Sequence, residues 1–122
     1  MIVDIERTFR FEAAHVLPNV PAGHKCRRLH GHSFIVDVAV RGGVDERLGW
    51  YIDYADLEAA FEPLRARLDH YYLNEVEGLE NPTSENLAHW IWERLSPKLP
   101  GLFRIVVHET CNARCIYHGP QE

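Results

Sequence analysis

Two stretches of the chain alternate apolar and polar residues with a period of two, and that pattern restricts what the rest can fold into. Over residues 2–12, Val3, Ile5, Phe9 and Phe11 fall on one parity, with Asp4, Glu6, Thr8, Arg10 and Glu12 on the other. Over 33–41 the segment SFIVDVAVR places Phe34, Val36, Val38 and Val40 on one face. Both read as strands buried on one side, because successive side chains of a strand point to opposite faces. The segment PNVPAGHKCRRL (18–29), with two prolines and a glycine, reads as the loop between them, and Gly42-Gly43 turns the chain afterwards.

After Asp53, a suitable N-cap, apolar residues recur at Leu57, Phe61, Leu64 and Leu68, which makes one helical stripe. Pro63 inside that stripe is expected to kink the helix or shorten it. Thr83 caps a second helix whose buried face is Leu87, Trp90, Ile91 and Leu95, and Pro97 and Pro100 end it. LFRIVVHE (102–109) and RCIYHG (114–119) read as closing strands. The order strand, strand, helix, helix, strand, strand gives an α+β domain: a four-stranded antiparallel sheet with both helices on one face. The free edges of so small a sheet are commonly covered by neighbouring subunits, so a homo-oligomer is expected.

A length of 122 residues allows one domain, 1–122, and a formal charge of −5 argues against binding nucleic acid through its phosphates. No apolar run approaches membrane-spanning length, and charges at Asp4, Glu6, Arg7, Arg10 and Glu12 interrupt any leader core, so a cytoplasmic protein without membrane contact is expected. Three cysteines, an odd number, fit a metal or catalytic role for at least one better than a disulfide framework.

That role falls to 26-CRRLHGH-32. His30 and His32 are two apart, so they point to the same side of the strand they open, and His15 shares the parity of Phe9 and Phe11 at the end of the first, provided Ala13-Ala14 introduces no bulge. Three imidazoles suit zinc and leave a fourth position for water or substrate. Two other arrangements fit the local pattern: Cys26 closing a structural tetrahedron, or histidines merely packed against backbone carbonyls. The C-x3-C pair Cys111 and Cys115 lacks a matching second pair and reads as buried thiols.

Further candidates are weaker alone. Asp69-His70 ends the first helix, where a carboxylate can orient a histidine, although such a dipeptide is ordinarily a surface pair. Glu109 has the parity of Ile105 and Val107, which would bury its carboxylate unless a partner with adjacent N–H donors meets it. The run His24, Lys25, Arg27, Arg28 could meet an anion or be a solvated loop. His24, His89, His108 and His118 read as ordinary histidines.

Taken together, FEAAH (11–15), GHKCRRLHGHSF (23–34), LDH (68–70), GLENPTSENLA (78–88) and HETCNARCIY (108–117) resemble the 6-pyruvoyltetrahydropterin synthase family over nearly the whole chain. The resemblance implies a T-fold, its sheets pairing between subunits into barrels, as trimers or hexamers. It implies zinc ligands at His15, His30 and His32, Cys26 as proton acceptor, Asp69 with His70 as the relay, and Glu109 as the anchor of a pterin ring. Lys25 and Arg27 become candidate contacts for a substrate triphosphate.

The C-x3-H-G-H spacing is similar to the bacterial, carboxypterin-forming branch, whereas the pyruvoyl-forming branch resembles C-x5-H-G-H. The implied reaction takes 7,8-dihydroneopterin triphosphate and water to a 6-carboxytetrahydropterin, acetaldehyde and triphosphate, a lyase step of queuosine (7-deazapurine) biosynthesis that needs no nicotinamide or flavin. The alternatives are triphosphate elimination without carbon–carbon cleavage, and a non-catalytic module stabilised by a closed zinc site.

Overall fold

The computed structural model describes residues 1–110 and 112–121. Its strands are β1 (Ile2–His15), β2 (His30–Gly43), β3 (Tyr71–Tyr72), β4 (Leu102–Thr110) and β5 (Ala113–Tyr117), with helices α1 (Tyr54–Leu68) and α2 (Ser84–Leu95). One sheet in the order β3-β1-β2-β4-β5 carries them all. The four long strands form the expected antiparallel sheet, and β3 adds two residues running parallel to the end of β1.

The first two strands extend past the alternating segments that betray them. Pairing of β1 with β2 runs from Ile2↔Gly43 to His15↔His30 without a register shift, so Ala13-Ala14 makes no bulge. Odd positions of β1 and even positions of β2 therefore keep one face along the full ladder. On that face Phe9 stacks on Phe61 of α1 with ring centroids 4.2 Å apart, and Phe11 stacks on Phe34 at 5.2 Å.

Helix α1 begins where expected, with the Asp53 carboxylate accepting from the Ala55 amide at 2.9 Å. It runs through Pro63 to Leu68 and is not shortened. Pro63 is exposed, so the carbonyl left without its intrahelical donor faces the solvent side. Helix α2 is capped by the Thr83 hydroxyl, which accepts from the Asn86 amide, and it buries Leu87, Trp90, Ile91 and Leu95.

The opposite sheet face carries no helix and is held by polar cross-strand pairs: Arg41 with Asp4, Arg104 with Glu6, Thr8 with Asp37, and Ser33 with Glu12. Among the described residues, β1 pairs on its outer edge with β3 only at Ala13 and Ala14, and β5 closes the other end of the sheet. Two edges are thus left open to pairing. Among the described residues, no helix is long and apolar enough to cross a membrane.

Candidate metal and pterin site

The shared end of β1 and β2 brings three histidines together. His15 and His30 are cross-strand partners with ring centroids 4.5 Å apart, and His32 lies diagonally from His15 at 5.3 Å. One ring nitrogen from each lies within 4.8 Å of the others, and Cys26 is not in that group. Gly31 permits the approach, since a Cβ there would sit 3.3 Å from the Ala13 carbonyl oxygen.

Each imidazole is oriented from behind by the backbone. Nδ1 of His15 lies 3.0 Å from the Pro82 carbonyl oxygen, that of His30 2.7 Å from Arg28 O, and that of His32 2.9 Å from Ser33 O. A carbonyl oxygen can only accept, so each Nδ1 carries the proton and each Nε2 keeps its lone pair. His15 is buried, and its Nε2 has no hydrogen-bond partner among the described residues. Burial, first, and the neighbouring His30 and His32 hold this imidazole below its ordinary pKa, against the opposing pull of the Pro82 carbonyl and Glu109. A buried, neutral imidazole with an orphaned lone pair, beside two others of the same tautomer, fits a zinc ion with three protein ligands.

Cys26 sits half-buried on a single 3-10 turn, Lys25–Arg27, whose backbone is tied to the end of β1 by the Leu17 amide donating to Cys26 O at 2.8 Å. Asn74 fixes the same strand end by accepting from the Val16 amide and donating to the Val16 carbonyl.

A cavity of about 550 Å³ opens beside His15 and is lined by His24, Thr83, Ser84, Glu109 and Cys115, among others. Glu109 departs from its expected burial: the residue is exposed, in the stretch where the pairing of β4 with β5 shifts register between His108 and Thr110. The Ser84 hydroxyl, at the start of α2, donates to Glu109 Oε2. Ser84 is a cavity residue that sequence reasoning gave no role, and His24 is one that it placed only in a basic run and otherwise read as an ordinary histidine. The PTSEN segment was a signal for the first, and the basic run at 24–28 was the signal for the second. Burial pushes the Cys115 thiol up, in keeping with an inert half-buried side chain, while Cys111 lies outside the described residues.

Asp69 and His70 lie elsewhere. His70 takes a left-handed backbone, φ 64°, at the end of α1, and its imidazole Nδ1 is 3.1 Å from Asp69 Oδ2. Asp69 Oδ1 accepts from the Glu12 amide at 2.9 Å, which holds its carboxyl below the ordinary range, with His70 adding to the effect. The His70 side chain is 78% exposed and borders a separate hollow of about 460 Å³ with Glu12, Gly31, His32 and Tyr71. Within one chain the pair therefore does not line the cavity of His15 and Glu109. Lys25 and Arg27 are exposed and do not line it either, and Arg27 donates to the Val20 carbonyl at 3.2 Å. A roomier hollow, about 660 Å³ around Val3, Ile5, Trp50 and Tyr54, lies at the other end of the sheet and contains no histidine or cysteine.

Comparison with known proteins converges on one group. The family model described as 6-pyruvoyl tetrahydropterin synthase matches residues 4–120. A Synechocystis protein named 6-carboxy-5,6,7,8-tetrahydropterin synthase is 44% identical, over 96% of this chain and 94% of its own. A Drosophila melanogaster 6-pyruvoyl tetrahydrobiopterin synthase is 38% identical, over 84% of this chain and 66% of its own. The solved structure of the Caenorhabditis elegans 6-pyruvoyl tetrahydropterin synthase superposes with a TM-score of 0.90 at 29% identity, covering 98% of this chain and 97% of that one.

Proposed function

Because the chain belongs to the 6-pyruvoyl tetrahydropterin synthase family, we propose that it is a cytoplasmic 6-carboxy-5,6,7,8-tetrahydropterin synthase of queuosine biosynthesis, converting 7,8-dihydroneopterin triphosphate and water to the carboxypterin, acetaldehyde and triphosphate. The observation that carries the reading is the pairing of a three-histidine cluster with a carboxylate across one cavity: His15 and Glu109 line the same hollow. His15, His30 and His32 would hold a zinc ion, which would supply Lewis acidity to the substrate side chain.

The remaining chemistry belongs to the chain itself. Glu109, oriented by Ser84, accepts two parallel N–H bonds from the amino group and ring of the pterin. That contact fixes which end of the substrate reaches the histidines. Cys26, on a turn fastened to the strand that carries His15, takes a proton from the side-chain carbon as thiolate. His70, oriented by Asp69, serves the second proton transfer. The redox equivalents move from side chain to ring within the substrate, and triphosphate leaves by elimination, with Lys25 and Arg27 as its candidate contacts.

His70, held by Asp69, borders a different hollow from Glu109, and two sheet edges are open, so the reading includes a homo-oligomer, a trimer or hexamer. In it the edges pair between chains and one chain's Asp69 and His70 complete the cavity of the next. The second reading, a pyruvoyl-forming synthase, is favoured by the name of the Drosophila relative. Mass spectrometry of the pterin formed from 7,8-dihydroneopterin triphosphate separates them: a 6-carboxy product supports the proposal, and a 6-pyruvoyl product replaces it with the alternative.

A further inference from the structure

We propose that His24 is a positioning residue for Cys26 and, through its other ring nitrogen, a donor to an oxygen of the bound substrate. The inference rests on the assignment of Cys26 as proton acceptor. His24 is the N-cap of the Lys25–Arg27 turn, with extended backbone at φ −67° and ψ 136°, and its Nδ1 accepts from the Cys26 amide at 3.1 Å. Imidazole replaces the usual Ser, Asp or Asn in that role. The turn itself is closed by other bonds, the Arg27 amide to His24 O at 3.0 Å and the Arg28 amide to Lys25 O at 3.2 Å. The ring bond therefore acts on the Cys26 peptide specifically, whose carbonyl is held from the other side by the Leu17 amide at 2.8 Å. Both backbone groups of Cys26 are thus occupied, and the direction of its Cα–Cβ bond is set by them.

A ring that accepts at Nδ1 must carry its proton on Nε2 when neutral. His24 lines the cavity shared by His15 and Glu109, so that N–H belongs to the surface a ligand meets. Two carboxylates line the cavity, Glu85 and Glu109, and in the proposed reading Glu109 takes the pterin end of the ligand. The Nε2–H is left for an oxygen of the side chain or its phosphates. One imidazole then links occupancy of the cavity to the placement of the thiol.

The two amide side chains separate the two roles. Asn presents an oxygen close to the position of Nδ1 and is itself a favoured N-cap, whereas Gln extends its amide towards the position of Nε2. Iodoacetamide labelling of the zinc-loaded, full-length protein, read at Cys26 by peptide mass spectrometry, reports the placement of the thiol without requiring turnover. His24→Ala and His24→Gln should raise the labelling rate about tenfold, the equivalent of one lost hydrogen bond, and His24→Asn should stay within about twofold of the parent. Steady-state kinetics should show kcat falling in His24→Gln, and kcat kept with KM raised about tenfold in His24→Asn. Zinc content should be unchanged in all three.

Equal labelling of Cys26 in the parent and in His24→Gln would overturn the positioning role. An unchanged KM in His24→Asn would overturn the donor role. Failure of the underlying assignment looks different: Cys26→Ala would retain turnover, while the labelling series would still separate Asn from Gln.

Discussion

His15 and His30 face each other directly across β1 and β2, their rings 4.5 Å apart, each held from behind by a backbone carbonyl. Two strands have fixed this pair before any ion is added, and His32 follows by diagonal pairing. Three ligands on one ion leave no redundancy. His15→Ala, His30→Ala and His32→Ala should each lose bound zinc from a parent that holds one per chain, while Cys26→Ala keeps it. Elemental analysis of the purified proteins decides, and full zinc in any histidine variant removes that residue from the ligand set.

Stability should separate the metal from the fold. His15 is buried with an unsatisfied Nε2, so a leucine there removes an unpaired polar atom but also the bond to Pro82 O. The two changes offset, and metal-free His15→Leu should unfold within about 1 kcal/mol of the metal-free parent. Zinc at about a hundred times its Kd should stabilise the parent by about 2.7 kcal/mol and the variant not at all. Thermal melts with and without zinc give both numbers. A zinc response that survives in His15→Leu would contradict the assignment.

Acid sensitivity has a marker at the end of α1. The Glu12 amide, first, and His70 hold the Asp69 carboxyl below its ordinary value of 3.8 in the folded protein. A depressed folded pKa means that the stabilisation is complete above the unfolded value and is lost as the pH falls through the folded one. Asp69→Asn has no such charge to lose. Urea midpoints measured at about pH 5 and about pH 3 should fall less for the variant than for the parent. Equal losses would mean that the clamp on Glu12 carries no charge-dependent stability.

Glu109 should govern pterin binding and leave the metal alone. An amide offers one acceptor oxygen and an unwanted donor, so Glu109→Gln should fail along with Glu109→Ala. Hydrogen bonds to a charged acceptor support an expectation of at least about tenfold weaker binding. Titration with neopterin, with zinc content measured in parallel, checks it. Parent-like affinity in both variants would end the anchor role.

The layout of the fold was legible because β1, β2 and both helices advertise themselves by period. Phe9 and Phe11 on one parity, and Leu87, Trp90, Ile91 and Leu95 on one helical face, are all buried as read. Strand ends were less so: alternation stops near Glu12 and Ser33, but the ladder continues to His15↔His30, since hydrogen bonding needs no apolar side chain. Pro63 misleads for a related reason, because a helix face turned to water tolerates a missing donor. Parity also gives a face and not a depth, which is why Glu109 shares the side of Ile105 and yet stands exposed. The separation of His70 from the Glu109 cavity, and the capping bond of His24, depend on a left-handed residue and a single turn that no period reports.

In the proposed reaction carbon–carbon cleavage follows the proton transfers, and acetaldehyde is the product that reports it. The pyruvoyl-forming alternative shares the histidines, the thiol and the loss of triphosphate, so no ligand variant distinguishes the two. Zinc-loaded protein incubated with 7,8-dihydroneopterin triphosphate should release acetaldehyde, trapped as its hydrazone, in equal amount to the triphosphate formed. Triphosphate released with no trapped aldehyde would rule out the cleavage and leave the chain a pterin synthase that stops one bond earlier.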